Sequence, residues 1–325
     1  MHPTSVFRRI ALAAVMAAVS LVSVCASAQT GRVTNLVVPF TPGTGPDAIA
    51  RILAPKLAAR LGSAVVVENK AGASGNIGTD FVAKAKPDGS TLMLTVNTFT
   101  ITPALYKKLP YDPIADFTPI GKVGLSNLAL VVNASLPAGD LAALISLARE
   151  KPGSLNYGSP GNGTPQHLAM EVLKKRYGLD ILHVPYKGAA GATSDLLGGQ
   201  TQLTMLPVHT ALPFVRSGKL RMLAVSGDKR STFAPEVPSL GELGAGNVDL
   251  SLYFWLAAPA GMPADQVAML NRELLAVLAM PEVRQLFAAQ GLVPDSSSPE
   301  QISATIKRDI EHWKQFVNEQ KITLD

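Results

Sequence analysis

From residue 36 onward, short runs of branched apolar residues alternate with segments patterned for helices, and few architectures accept that order. Leu36-Val37-Val38-Pro39-Phe40 reads as a buried strand. Asp47 then stands as an N-cap before a helix over 48–61, whose Ile49, Ile52, Leu53, Leu57 and Leu61 share one face. A second strand over 64–67, a second helix over 76–85 and a third strand over 91–96 follow. Parallel neighbours need crossover connections, so this β-α-β-α order predicts a parallel sheet covered by helices.

The pattern breaks between Tyr106 and Gly121 into a Pro-rich loop, Leu109-Pro110-Tyr111-Asp112-Pro113. A second alternating series begins at Leu128–Val132. It carries helices over 141–149, 166–177, 192–197 and 211–216, and strands over 155–157, 181–184, 202–206 and 220–225. An irregular stretch over 233–247 precedes a strand over 250–257 and three late helices over 264–279, 282–290 and 299–319. If those last helices pack back on the first unit, the second unit is an insertion and the chain crosses twice, near residues 128 and 252. The expected organisation is α/β, with residues 29–127 and 253–325 as one lobe and 128–252 as the other. Two hinged crossings then leave a cleft suited to a ligand.

The first 28 residues have the build of an export signal. Arg8 and Arg9 precede Ile10–Val24, a run made mostly of Ala, Val, Leu and Met, and Ala26-Ser27-Ala28 supplies small residues for cleavage before Gln29. The expected location is the periplasm. Cys25 is the only cysteine and lies in the segment to be removed; the bulky Val24 before it argues against a lipid-anchor site. No disulfide framework is available, so the chain must be held by its core, for which its length is ample. Losing Arg8 and Arg9 takes the formal charge from +5 to +3 and leaves no basic stripe, which excludes a nucleic-acid partner.

Two loops share one construction, each Gly-rich, following a strand and opening a helix. They are Thr41-Pro42-Gly43-Thr44-Gly45-Pro46-Asp47 and Ser159-Pro160-Gly161-Asn162-Gly163-Thr164-Pro165. Glycines let the backbone turn tightly and approach a ligand, while a helix N-terminus offers N–H groups to an anion. Thr44, Ser159 and Thr164 add hydroxyl donors. Neither loop carries Lys or Arg, so an anion here would be held by backbone amides and dipoles. No phosphate-binding G-x-x-x-x-G-K-[ST] occurs, and Gly72-Ala73-Ser74-Gly75-Asn76-Ile77-Gly78 lacks dinucleotide spacing; it reads as a turn that packs a helix close to a strand.

Catalytic and metal constellations are scarce. His2, His167, His183, His209 and His312 show no metal-ligand spacing, so neither a metal nor another cofactor is expected. Ser159 is not in a G-x-S-x-G elbow, because Tyr157 stands where the first glycine would be. His167 follows the second loop by one turn and is either a ligand contact or a packing residue. Asp195 is read as starting a helical turn, where an acid serves as cap or dipole partner unless it faces a site.

Taken in order, the motifs resemble those of Bug-type receptors, the solute-binding components of tripartite tricarboxylate transporters. The opening Pro39-Phe40-x-Pro42-Gly43-x-x-x-Asp47-x-x-Ala50-Arg51 is followed by Val67-Glu68-Asn69-Lys70, Gly75-Asn76-Ile77-Gly78, Pro87-Asp88-Gly89 and Asp116-Phe117-Thr118-Pro119. Tyr157-Gly158-Ser159-x-Gly161-x-Gly163-Thr164, His183-Val184-Pro185-Tyr186-Lys187-Gly188, Asp195-Leu196-Leu197-Gly198-Gly199-Gln200 and Ala258-Pro259-Ala260-Gly261-x-Pro263 complete the set. The resemblance implies a type II periplasmic binding fold whose two Gly-rich loops grip a carboxylate from opposite lobes. It carries Phe40, Gly43, Asp47, Ser159, Gly161 and Thr164 over as ligand-binding positions, with Asp195 at a helix position that can face the cleft. Pro42, Thr44, Gly45, Asn162, Gly163 and His167 join them as loop residues. Thr44 replaces a usual Gly, Pro46 a small or hydroxyl residue, and Ala71 a usual Pro. The implied protein is expected to be a monomer without catalytic residues that captures a di- or tricarboxylate, an acidic amino acid or an aromatic acid for a membrane permease. Two alternatives stand beside it: an adaptor docking on a membrane sensor kinase, and a secreted hydrolase using Ser159 and His167.

Overall fold

The computed structural model describes residues 33–245, 252–320 and 322. The expected export signal and Cys25 lie outside the described residues, as does the segment over 246–251 that leads up to the expected second crossing near residue 252.

Among the described residues, eleven strands form two mixed sheets. In chain order they are β1 (Thr34–Val38), β2 (Val65–Asn69), β3 (Thr91–Val96), β4 (Phe117–Ser126), β5 (Leu128–Asn133), β6 (Leu155–Ser159), β7 (Ile181–Pro185), β8 (Leu203–Pro207), β9 (Leu220–Val225), β10 (Leu252–Pro259) and β11 (Val293–Pro294). The first sheet has the order β11-β4-β10-β3-β1-β2 and the second β7-β6-β8-β5-β9. The chain changes sheets at Asn127, between β4 and β5.

Neither sheet is wholly parallel, which corrects the expectation from alternation. β10 runs antiparallel to both β3 and β4, and β5 runs antiparallel to both β8 and β9. The parallel pairs are those joined by crossover helices or by a shared neighbour: β1 with β2 and β3, and β6 with β7 and β8. β4 passes straight into the other sheet, so its direction is not set by a crossover helix of its own.

Period-two burial sorts each strand's side chains between two faces. On one face of the first sheet Leu36, Leu92, Leu94, Phe254 and Leu256 pack with the helices Gly45–Leu61, Ala264–Ala279 and Pro281–Ala289. On the other, Val37, Met93 and Trp255 meet Phe99, Tyr111 and Phe117. The second sheet divides likewise, with Leu128, Leu130 and Val132 on one side and Ala129 and Val131 on the other.

Two helices that follow strands of the first sheet depart from the sequence expectation. A helix spans Thr98–Leu105, where Thr100 Oγ1 donates to Asn97 O at 2.9 Å and Thr102 Oγ1 to Thr98 O at 2.7 Å. Its threonines thus return their hydroxyls to the backbone, and tertiary burial overrides weak propensity. The first long helix begins at Gly45 with Thr44 as its N-cap residue, so Asp47 sits inside the first turn. Pro46 accounts for the early start, being tolerated where an N–H has no intrahelical partner. Gly78 lets the helix Asn76–Ala83 lie against β1's exit: a Cβ there would stand 2.7 Å from Lys70 O and 2.8 Å from Pro39 Cα. That is the close packing expected of this glycine motif.

The C-terminal helix, Pro299–Gln320, touches both cores. Ile302, Ile306 and Ile310 join the aromatic cluster under the first sheet, while Trp313 packs into the core of the second. Tyr253 donates to Asp309 Oδ2 at 2.7 Å along the same helix.

Candidate functional site

The first Gly-rich loop leaves β1 and is fixed from behind by polar side chains. Asp47, 4% exposed, accepts from Gly43 N at 2.9 Å through Oδ2 and from Arg51 Nε at 3.1 Å. Arg51 Nη2 also donates to Asn69 Oδ1 at 3.3 Å, and Asn69 Nδ2 donates to Phe40 O at 3.1 Å. Both ends of the turn are therefore tied to one network. Burial pushes the Asp47 carboxyl upward, but the Arg51, Gly43 and Asn69 hydrogen bonds outweigh it and leave the group below its ordinary range. Thr44 Oγ1 donates to Thr41 O at 2.7 Å, and no side chain caps the helix that follows. Pro42 and Gly43 are exposed, while Phe40, Thr44 and Gly45 are half-buried, with Gly45 against the Phe254 ring.

The second loop leaves β6 and is held more tightly. Ser159 is fully buried; its Oγ lies 2.7 Å from His183 Nε2, donates to Gly161 O at 3.1 Å and accepts from Gly161 N at 3.2 Å. Thr164 caps the helix Pro165–Tyr177 by accepting from His167 N, and its Oγ1 donates to Gly161 O at 2.8 Å. His167 Nδ1 accepts from Gly163 N at 3.1 Å. The ring of His167 stacks on His183 at 4.1 Å, and His183 stacks on Tyr157 at 4.7 Å. Ser159 is thus paired with His183, not with the His167 of the hydrolase alternative, because strand register sets His183 beside Tyr157.

Burial holds both imidazoles neutral. His183 is pushed down to about 3, by desolvation and then by its neighbours His167 and Lys174. His167 falls to about 4, with Glu171 opposing the desolvation and Lys174 adding to it. An unfolded histidine takes up a proton near pH 6.5, so stability is untouched above that value and falls as pH drops towards 4. Urea midpoints between pH 7 and pH 4 should show this fall, and His167→Asn, which keeps an acceptor for Gly163, should flatten it. An equally steep profile in that variant would remove His167 from the account.

Each loop lies at the carboxyl end of its strand, where open α/β sheets place ligands, and each is approached by a segment from the other half of the chain. Ser74 Oγ, after β2, donates to Asn162 O in the second loop at 2.9 Å. A Cβ on Gly188 would stand 3.6 Å from Thr41 Oγ1, and one on Gly163 only 2.6 Å from Leu105 Cδ1. Gly163, at φ 75, is thus required twice over, by conformation and by space.

Asp195 lies in the last turn of the helix Ala189–Leu197 rather than at a helical start, because that helix begins at Ala189, earlier than its apolar pattern suggests. It accepts from the Tyr186 hydroxyl at 2.5 Å, and burial followed by this carboxylate pushes Tyr186 up to about 12. Tyr186 in turn lies over Gly158 and Gly191, where added Cβ atoms would meet its ring at 3.2 and 2.9 Å.

Ser74, His183 and Tyr186 are the candidate-site residues that local sequence reasoning passes over. Of these, only His183 and Tyr186 had a signal, in the motif His183–Gly188. Among the described residues no group of three or more His, Cys, Asp or Glu could hold a metal ion, and no helix is long and apolar enough to cross a membrane. An open hollow of about 500 Å³, lined by Glu171, Lys174, Lys175, Gly178, Leu179, Asp180 and Ile322, shares no residue with either loop.

Comparison with known proteins places this geometry in context. The family pattern described as "Tripartite tricarboxylate transporter family receptor" matches residues 49–322. Protein BugT of Bordetella pertussis is 37% identical over 298 residues, covering 91% of each chain. The solved periplasmic binding protein BugD superposes with a TM-score of 0.83 at 32% identity, over 90% of this chain and 98% of its own. A solved R. palustris protein with adipate gives 0.84 at 33% identity, over 89% and 97%. MatC from Rhodopseudomonas palustris with bound malate gives 0.80 at 28%, over 88% and 98%.

Proposed function

The chain belongs to the tripartite tricarboxylate transporter receptor family, and from that premise we propose that it is an extracytoplasmic receptor that captures a small carboxylate and delivers it to a membrane permease. The observation that carries this reading is the pair of Gly-rich helix openings, one beside each sheet, each touched by a segment of the other half at Thr41–Gly188 and at Ser74–Asn162. Neither loop contains Lys or Arg, so a carboxylate between them meets amide dipoles and hydroxyls, the chemistry suited to an anion at helix N-termini. Adipate and malate in two solved relatives support a carboxylate of similar size here.

Within this reading Phe40, Pro42, Gly43, Thr44 and Gly45 form one wall and Gly161, Asn162, Gly163 and Thr164 the other. Asp47, Ser159 and His167 hold those walls in shape, and Asp195 orients Tyr186. Contacts to both walls favour the closed form, which is the population shift that the permease reads. Capture proceeds without chemistry: Ser159 is fully buried, and the His183 imidazole it meets is too weak a base to activate it at neutral pH. The signal-like first 28 residues support export, with the described residues 33–126 and 252–320 as one lobe and 128–245 as the other.

A thermal-shift screen of carboxylates tests the proposal. A ligand at a hundred times its Kd adds about 2.7 kcal/mol of apparent stability. In Ser159→Ala with Thr164→Ala, hydrogen bonds worth roughly 1 kcal/mol each are lost, so Kd should rise at least about tenfold. No shift with any carboxylate would sink the receptor reading, and an unchanged Kd in the double variant would remove the second loop from the site.

A further inference from the structure

Ala73 and Ser74 are the residues other than glycine that hold left-handed backbone among the described residues, with Ser74 at φ 56 and ψ 31. A Cβ makes that conformation costly, and such strain persists where the surroundings enforce it, often at ligand clamps and switch regions. At Ser74 it sends the hydroxyl across the cleft. Oγ donates to Asn162 O at 2.9 Å and accepts from the Tyr106 hydroxyl at 3.4 Å.

The first-lobe side of this bridge has a firm base. Tyr106 follows the helix Thr98–Leu105, and Tyr111 donates to Asn76 Oδ1 at 2.6 Å, pinning the chain two residues beyond Ser74. Tyr111 itself stacks in the aromatic cluster beneath the sheet. The Asn162 side is the middle of a Gly-rich loop whose two flanking glycines both have positive φ. A strained donor on one side therefore meets a backbone carbonyl that the second loop's own hydrogen bonds hold in place.

We propose that Ser74 is a positioning residue that latches the cleft shut, its hydroxyl setting the fraction of closed receptor through the Asn162 carbonyl of the opposite lobe. This rests on the two-lobe receptor reading above. The bond joins protein to protein, so it favours closure with or without ligand. Apparent affinity scales with the fraction of receptor already in the competent form, and a ligand leaves only once the bridge opens.

The test uses the full chain carrying Cys25→Ser, with spin labels on cysteines placed at exposed Lys86 in the first lobe and exposed Ala190 in the second. Inter-label distances are compared without ligand in the parent, Ser74→Ala, Ser74→Gly and Ser74→Asn. Losing one part-buried hydrogen bond changes the open-to-closed ratio roughly fivefold. Ser74→Ala and Ser74→Gly should both lengthen the distances. Ser74→Gly should do so without lowering Tm, since glycine relieves the strain, which separates an opened cleft from a weakened fold. Ser74→Asn, tolerant of left-handed backbone and carrying a donor, should recover the short distances. Unchanged distances in both Ala and Gly variants would overturn the latch. Malate and adipate thermal shifts on the same proteins bear on the receptor reading separately: no shift in any form would overturn that reading and leave the distance result standing.

Discussion

Trp255→Ala should remove about 3–5 kcal/mol of folding free energy, the range for truncating a buried aromatic. Trp255 is fully buried at the middle of β10, opposite Thr95 on one side and Lys122 on the other. Phe99 meets it edge-on at 5.0 Å, and Phe99 in turn meets Phe117 at 5.1 Å and Tyr111 at 6.2 Å. Alanine would leave a cavity among rings that cannot collapse into it, since each is fixed by the others. Trp255→Phe should cost far less. The indole N–H has no acceptor among the described residues, so phenylalanine removes an unpaired donor as it gives up volume. Urea titration followed by circular dichroism measures both. A loss below about 1.5 kcal/mol for the alanine variant would contradict this account of the core.

Asp47→Ala should weaken carboxylate binding by at least about tenfold, the equivalent of 1.4 kcal/mol of lost preorganisation. The Asp47 carboxylate holds the Gly43 amide and links through Arg51 and Asn69 to the Phe40 carbonyl, so its removal frees both ends of the first loop. Much of the Arg51 side chain is in solvent, which screens that ion pair; the buried bond to Gly43 matters more. Asp47→Asn, which keeps an acceptor for Gly43, should fall between the parent and alanine. Because the folded carboxyl is depressed, its contribution is complete above the unfolded value of about 3.9 and is lost as pH falls through the lower folded value. The parent and Asp47→Asn should therefore differ in stability at pH 7 and converge only once the pH has fallen below the depressed folded value. Isothermal titration and urea melts at the two pH values check this, and an Asp47→Ala protein with unaltered affinity would show that the first loop needs no anchor.

Much of this architecture was legible locally. Both Gly-rich loops announced themselves by composition, and burial periodicity located most strands to within a residue or two. Strand direction did not. β10 and β5 run antiparallel to their neighbours because the chain passes from one sheet to the other, a property of the whole path rather than of any window. The helix Thr98–Leu105 was hidden by β-branched residues and Pro103, which only burial makes acceptable. At the site, Ser74 sat in a motif correctly read as packing, and nothing nearby in sequence reveals that its hydroxyl reaches Asn162, 88 residues away. The hydroxyl of Ser159 is legible in the loop's sequence, but only strand register sets His183 within hydrogen-bond reach of it.

The C-terminal helix has a bearing on how the molecule melts and how it can be divided. A single rigid rod carries Ile302, Ile306 and Ile310 into one core and Trp313 into the other. Neither half can lose its packing without stripping apolar surface from a helix that the other half still needs. The two lobes should therefore share one cooperative transition instead of unfolding in sequence. For the same reason residues 128–245, despite having their own sheet, would on excision expose the face that Trp313 covers.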